Sequence, residues 1–452
     1  MKLTNSTMHS ISKSSNIRMG LSYAKESHAE FFNRFSFCQD RIKDIFEIEK
    51  GTGITEAQAV EGNIPVVAGG KDYAYLHNES NRPQGCITIS ASGANSGFVN
   101  YWNVPIWASD CVTLKSKNEN EYLTKFLYYA LRLIQSDIYL LQKGSDQPHV
   151  YASDIQYIKV PAVAVPIQKK ALSAAHAIEK EIETIEASIK KNNEIIDDIF
   201  NREFRFTMDE FNRIKQAKRF SANYRTLSNN ADLRFSAKFH RDSGNFVMQE
   251  LTSCTDKKIK HYLAEPIVLG ASISPDDFDK DGDAYYISMA SIKTLSVELD
   301  ETQHISQEYF EKNQSKTLRK NDIIIARSGV AIGKTAIVKN DFPGVFADFT
   351  MRIRLKDYNP EFAYYYFRTT YFQYLIEIYK KGLQNQNIFP VVIREFPMLD
   401  ISLEEQQRIV DEIHTEIAKQ DEIKKQIEAL RGQIDVMIRG VLTKTKSMPE
   451  MG

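Results

Sequence analysis

Apolar residues recur every three or four positions through two long stretches of this chain, and the two stretches share one register. Between Ile167 and Glu203 the series is Ala171, Ala175, Ile178, Ile182, Ile185, Ile189, Asn192, Ile196 and Ile199. Displaced by 238 positions, it continues as Ile409, Ile413, Glu416, Gln420, Ile423, Ile427, Leu430, Ile434, Met437 and Val441. Ile178 falls on Glu416, Ile185 on Ile423, Ile189 on Ile427 and Ile196 on Ile434. This alternating step is the a/d pattern of a helix whose seam keeps facing one partner. It predicts one long helix in the middle of the chain and its repeat at the end. Two such helices in one chain can pair antiparallel, each covering the other's seam. The predicted seam is Ile178, Ile182, Ile185, Ile189 and Ile196 with Ile423, Ile427, Leu430 and Ile434. The plainer alternative is that each seam packs on its own globule.

The repeat reaches beyond the helices. Ile87-Thr88-Ile89 followed by Gly93 and Gly97 matches Ile323-Ile324-Ile325 followed by Gly329 and Gly333, at an offset of 236. Lys143-Gly144 matches Lys381-Gly382, and Gln168 matches Gln406, both at 238. Upstream, Asn16-Ile17-Arg18 resembles Asp232-Leu233-Arg234 at an offset of 216, so the loops before the central strand differ in length. Short apolar or β-branched runs predict strands at Ile45–Glu49, Ile64–Ala68 and Cys86–Ser90 in the first half. In the second half they fall at Tyr285–Met289, Asp322–Ala326, Thr335–Val338 and Thr350–Leu355. Glu121–Leu141 and Pro360–Tyr379 have helical spacing. Ile155–Val165 is expected extended, with Pro161 and Pro166 barring a helix until Ile167. Mixed strands and helices in each half imply two α+β globules.

At 452 residues the chain exceeds a single core, and two or three domains are expected. Hydrophobic residues at 42% and charged residues at 26% fit a soluble globular protein. No apolar run has the length of a membrane span, and the first residues are polar, without a signal-peptide core. Cys38, Cys86, Cys111 and Cys254 form no CxxC pair, which fits reduced thiols in a cytoplasm and argues against structural zinc. A net charge of −1 gives no bulk electrostatic hold on DNA. Charge is locally uneven: Arg205 to Lys260 holds 12 Lys and Arg against 6 Asp and Glu.

Catalytic signatures are weak. Ser328 to Thr335 reads SGVAIGKT, close to a phosphate loop. Its first glycine is missing, and Thr335-Ala336-Ile337-Val338 reads as strand where a helix must open. Asp277, Asp279 and Asp281 with Gly282 imitate the start of a calcium loop, but Ser288 stands where a bidentate Glu is needed. Tyr358-Asn359-Pro360-Glu361-Phe362 lacks the second proline of an amino-methyltransferase motif. Asp242 with Asp256-Lys257-Lys258 fits a nuclease only loosely, and the histidines do not cluster. What remains is a binding surface. Lys380-Lys381-Gly382-Leu383-Gln384-Asn385-Gln386-Asn387 sets cations beside amides, and Lys143-Gly144-Ser145-Asp146-Gln147 is its sister. Lysine seeks phosphate, while Asn and Gln read adenine bidentately. Candidate DNA contacts are Lys143, Gln147, Arg327, Lys334, Lys380, Lys381, Gln384 and Asn387. A polar surface loop is the ordinary alternative for each.

Taken together, several stretches resemble the DNA-specificity subunit of type I restriction–modification systems. They are Ile87-Thr88-Ile89 through Gly97 with Trp107-Ala108-Ser109-Asp110, Arg234-Phe235-Ser236-Ala237-Lys238, Asp322 through Gly333, Ser402-Leu403-Glu404-Glu405-Gln406-Gln407-Arg408-Ile409, and Ile195 to Phe204. The likeness runs from about Arg18 to Val441. The first long helix departs from the pattern by opening with Pro166-Ile167-Gln168-Lys169-Lys170, without the usual acidic pair. The resemblance implies an α+β fold with two similar target-recognition domains joined by two long helices in an antiparallel coiled coil. The parts are residues 1–166, the central helix 167–204, residues 205–400, and the last helix 401–445. It implies a subunit without catalysis or cofactor of its own, reading a bipartite site in double-stranded DNA. Its partners are two modification subunits using S-adenosylmethionine and restriction subunits using ATP and magnesium, in the cytoplasm and away from membranes. The rival readings are a self-contained DNA methyltransferase or nuclease, and a protein-only coiled-coil scaffold. The 22 coiled residues from Ile178 to Ile199 span about 33 Å, near one turn of B-DNA, so the helices are expected to set the spacing of the half-sites.

Overall fold

The computed structural model describes residues 40–144, 147–217, 219–221, 236, 238–293, 296–300, 302–329, 331–382 and 386–446. The chain divides into two units. One takes Met1–Ser188 with Lys424–Gly452, and the other takes Ile189–Ile423.

In the first unit the short apolar runs form β1 (Phe46–Lys50), β2 (Ile64–Val67), β3 (Tyr75–His77), β4 (Cys86–Ser90), β5 (Val99–Trp102), β6 (Trp107–Ala108) and β7 (Cys111–Ser116). One antiparallel sheet has the order β1-β7-β4-β5, and the other is β3-β2-β6 with β2 parallel to β6. The second unit forms β8 (Val268–Leu269), β9 (Ala284–Ile287), β10 (Gln303–Ile305), β11 (Ile323–Ala326), β12 (Thr335–Ile337), β13 (Gly344–Phe346) and β14 (Thr350–Ile353). Its sheets are β8-β14-β11-β12 and β10-β9-β13, with β9 parallel to β13. Strand for strand, the two topologies are the same. The duplication therefore includes the front of each half, where the sequence repeat fades.

The central strands explain why their sequences are continuous apolar runs. Side chains alternate across a sheet, so a strand covered on both faces must be apolar at every position. In β11, Ile323 and Ile325 join a core of aromatic helix residues that includes Tyr366 and Phe372. Ile324, between them, joins Ile287, Ala336 and Phe346 on the opposite face. The first unit repeats this in β4: all five residues are buried, and Cys86 lies with Val67, Trp102 and Cys111. Thr88, on the same face as Cys86, accepts a 2.9 Å hydrogen bond from the Trp102 indole.

The helices include α1 (Thr124–Arg132), α2 (Gln135–Tyr139) and α3 (Val165–Glu186), then α4 (Asn192–Phe204), α5 (Met208–Gln216), α6 (Asp242–Cys254), α7 (Pro360–Tyr366) and α8 (Thr370–Tyr379), and last α9 (Leu403–Lys446). The first unit owns α1 to α3 and the second α4 to α8. The unit boundary falls inside α9, between Ile423 and Lys424. Among the described residues no helix is long and apolar enough to cross a membrane.

Four helix expectations are corrected. The helix expected to start at Ile167 starts at Val165, because Pro166 sits in the first turn, where its missing N–H has no helical partner to lose. That helix is also not continuous. It ends at Glu186, and a new one begins at Asn192. The break is held by the Gln420 side chain, whose oxygen takes the Lys190 N–H at 3.0 Å, and by Glu194, which accepts from Lys191 N at 2.9 Å. Glu121–Leu141 is two helices parted at Leu133 and Ile134. Pro360–Tyr379 is parted at Phe367 to Thr369, where the Thr369 hydroxyl caps α8 by accepting from Phe372 N.

None of the nine predicted seam residues is exposed. Ile182, Ile196, Ile427, Leu430 and Ile434 are buried, and Ile178, Ile185, Ile189 and Ile423 are half-buried. In the second unit α4 and the first half of α9 run antiparallel: Lys190 meets Gln420, Arg202 meets Glu412 at 2.7 Å, and Glu203 meets Arg408. In the first unit Glu186 of α3 pairs with Arg431 of α9 at 2.8 Å. The plainer alternative holds as well in the second unit. Ile196, Ile199, Ile409 and Ile413 belong to the same core as Ile323 and Phe372, so this seam faces both the partner helix and its own globule.

Candidate nucleic-acid interface

In each unit the central strand runs into a glycine turn, and a basic loop is stitched to that turn by backbone hydrogen bonds. In the second unit, β11 leads to Arg327, Ser328 and Gly329. Gly329 and Gly333 have φ of 78° and 88°, the left-handed region that glycine alone enters freely. Gly333 N donates to Ala326 O at 2.9 Å, closing the turn. Gln373 of α8 donates its amide to Gly333 O at 2.9 Å, and a Cβ at Gly333 would lie 2.5 Å from Gln373 Oε1. The loop from α8 returns on itself, with Lys381 and Asn387 exchanging two backbone bonds of 2.7 Å. Ile388 N then donates to Arg327 O at 2.9 Å.

The first unit builds the same object. Gly93 and Gly97 have φ of 79° and 90°, and Gly97 N donates to Ser90 O at 2.7 Å. Gln135 of α2 donates to Gly97 O at 2.8 Å, as Gln373 does to Gly333. Lys143 and His149 exchange backbone bonds of 2.9 and 2.8 Å, and Val150 N donates to Ala91 O at 2.9 Å. The glutamine clamp, like the loop, repeats at 238 residues, and the turn at 236. Neither clamp residue was singled out from sequence, although the offset that matches Lys143 to Lys381 also matches Gln135 to Gln373.

The structure brings some of the candidate residues together. Arg327, Lys381 and Asn387 meet where loop and turn are stitched, and Lys334 is exposed at the far end of the turn. Arg327 is half-buried and donates Nε to Asp348 O at 2.8 Å. Lys380 is largely covered and pairs with Glu377 at 2.5 Å. Lys143 pairs with the buried Asp154 at 2.9 Å and lies 5.1 Å from the Tyr151 ring. Gln147 is exposed in the first unit's loop. Gln384 lies outside the described residues. So Lys143 and Lys380 are held against carboxylates, which makes the arrangement less cationic than its sequence.

A second repeated feature escaped the sequence reading. Ile42 and Ile259 are fully buried, and each is flanked by two cations, Arg41 and Lys43 in one unit and Lys258 and Lys260 in the other. Ile42 N donates to Ile158 O at 2.9 Å, and Ile259 N to Phe396 O at 3.0 Å. Arg41 and Lys43 lie over the Tyr157 ring at 5.5 and 5.3 Å. Lys258 and Lys260 converge on Glu395, and hydrogen bonds from Lys260 and Lys258 bring its carboxyl down to about 2.

The chemical motifs set aside earlier look ordinary here. Lys334 leads into β12, a strand, where a phosphate loop opens a helix. Asp277 accepts from Ser274 N at 3.1 Å and Asp279 from Asp281 N at 3.0 Å, so these carboxylates shape their own turn. No group of three His, Cys, Asp or Glu among the described residues could hold a metal.

Comparison with known proteins matches residues 39–195 and 266–430 to the type I restriction modification DNA specificity domain. A Mycoplasma genitalium protein named as a type I specificity subunit is 25% identical over 166 residues, covering 36% of this chain and 43% of that protein. A Mycoplasma pneumoniae protein of the same description is 23% identical over 167 residues, covering 36% and 44%. The matched stretch thus spans less than half the length of either relative. The crystal structure of the type I restriction–modification S subunit from M. genitalium aligns over 91% of this chain and 96% of its own, at 15% identity and a TM-score of 0.39.

Proposed function

This chain belongs to the type I restriction modification DNA specificity family, and on that premise we propose that it reads a two-part DNA site, one half with each globule. The observation that carries the proposal is the duplicated turn-and-loop assembly. A complex that reads two half-sites needs two independent readers. Here the same strand order, glycine turn, glutamine clamp and stitched loop occur once in each unit. Phosphate contacts from exposed cations would set register, and amide or apolar side chains would read base edges.

The chemistry belongs to partners. Two modification subunits dock along the long helices and transfer a methyl group from S-adenosylmethionine to adenine. Translocating endonuclease subunits, using ATP and magnesium, join them to cut unmethylated DNA. The chain itself supplies recognition and no catalytic group, and it works in the cytoplasm. The paired helices fix the run of unread base pairs between the half-sites.

Methylome sequencing of a host with and without this chain tests the proposal. A bipartite methylated adenine motif should be present with the chain and vanish without it. Unchanged methylation would overturn the reading. Methyl transfer by the purified chain alone would replace it with a self-contained methyltransferase.

A further inference from the structure

We propose that Tyr151 and Phe389 are matched base-contacting residues, each presenting an exposed aromatic ring to the bases of its own half-site. The inference rests on the DNA-reading function above and assigns residues to it. The two positions are 238 apart, the offset of the loops themselves. Tyr151 is 43% exposed and Phe389 is 39% exposed. Each directly follows the residue that stitches the loop to the turn, Val150 or Ile388, and those two are 1% and 0% exposed. Each directly precedes a one-turn helix, Ala152–Ile155 or Pro390–Ile393. The backbone under each ring is therefore fixed from both sides, while more than a third of each residue stays open to solvent.

An aromatic ring held rigidly in solvent is a usual mark of a contact surface. The surroundings favour nucleic acid over protein. In the first unit the ring is flanked by the Lys143 ammonium, 5.1 Å from its centroid, and stacked with the His149 ring at 6.0 Å. Charged groups are depleted at the centre of protein interfaces, and this ring has an ammonium–carboxylate pair, Lys143 with Asp154, directly beside it. In the second unit Val391, 65% exposed, extends the apolar surface beside Phe389. Aromatic and aliphatic side chains contact thymine methyl groups or wedge between base steps, and they read bases without depending on salt.

The test uses the assembled complex of this chain with its modification subunits. Tyr151→Ala and Phe389→Ala are compared with the ring-preserving Tyr151→Phe and Phe389→Tyr. Affinity is measured on a cognate duplex and a random duplex across salt concentrations. The alanine variants should bind the cognate duplex about 10-fold more weakly, with the salt slope and random-duplex affinity unchanged. The ring-preserving variants should stay within about twofold of wild type. A base-substitution scan should place the Tyr151 effect in one half-site and the Phe389 effect in the other. Alanine variants that match wild type on the cognate duplex, or lose both duplexes equally, overturn the inference. Loss of modification subunits on purification would make these rings a protein contact and overturn it too. A wild-type complex without sequence preference would overturn the DNA-reading function itself, whereas a selective wild type with indifferent variants overturns only this assignment.

Discussion

Replacing Gln406 by leucine should loosen the start of α7 without disturbing the first unit. Gln406 is 2% exposed at the head of α9. Its side-chain oxygen accepts from Asn359 N at 2.8 Å, and its amide donates to Ile401 O at 2.8 Å. Asn359 in turn caps α7 by accepting from Glu361 N and Phe362 N at 2.9 and 3.1 Å. Leucine keeps the volume and removes both bonds. Each orphaned backbone group costs about 1–3 kcal/mol, and the half-buried Asn359 N–H regains some water, so about 2–4 kcal/mol is expected in total. At 1.4 kcal/mol per factor of ten, amide exchange at Asn359 should accelerate roughly 30- to 1,000-fold if it reports local opening. Hydrogen exchange resolved to the segment around Asn359 and Pro360 measures this. Gln168 is the internal control. It is fully buried, accepts from Leu123 N at 2.9 Å and donates to Val163 O at 2.7 Å, so Gln168→Leu should act at Leu123 and leave Asn359 alone. Acceleration of less than about threefold at Asn359 in folded Gln406→Leu would refute the clamp.

Other expectations follow from the same contacts. Lys334→Ala should lower the salt slope of DNA binding by about one on any sequence, measured by titration at several salt concentrations. Lys143→Ala should instead lower the melting temperature, because it strips the ammonium from the buried Asp154. Glu395, brought from an ordinary 4.5 to about 2 by Lys260 and Lys258, should remain ionised at pH 4 in an NMR titration. Because the folded value is depressed, its stabilising pairing is complete above the ordinary carboxylate range and is lost as pH falls towards 2. Ile427→Asp should unfold or strongly destabilise the first unit, since removing even the methyl groups of a buried isoleucine costs about 2–5 kcal/mol; denaturant titration checks it. Exchanging residues 18–165 for those of a relative should change one half of the methylated motif only, and methylome sequencing would reveal a change in both.

The strands were legible because burial on both faces leaves its mark in adjacent letters. Cys86–Ser90 was read to its ends, and Ile323–Ala326 to within one residue. The repeat was legible because loop, turn and long helix kept their offsets. The break between α3 and α4 was not, since Ile185, Ile189 and Asn192 carry the seam straight through it. Part of what holds the break is a side chain 230 positions away, Gln420, and the local part, Glu194 accepting from Lys191 N, sits under the uninterrupted apolar series. Thr369 between α7 and α8 was a readable cap, whereas Leu133-Ile134 offered no comparable signal. For the interface, the sequence identified the loops but not their electrostatics. Asp154 neutralises Lys143 from across a loop, and whether that carboxylate turns inward depends on packing. Tyr151 and Phe389 were visible as letters, but their exposure was not.

The boundary inside α9 bears on how the chain is made. The second unit is one unbroken run, Ile189–Ile423, and every residue it needs has left the ribosome once that run emerges. The first unit is interrupted. Its α3 surface, with Ala171, Ala175 and Ile182, is synthesised more than 230 residues before the Ile427, Leu430 and Ile434 segment that completes the unit. In a chain built at about 5–20 residues per second, α3 waits on the order of ten seconds or more for the α9 residues that pair with it, as Arg431 does with Glu186. The later-made half thus finishes first, and the earlier-made half is the one exposed to wrong partners during synthesis.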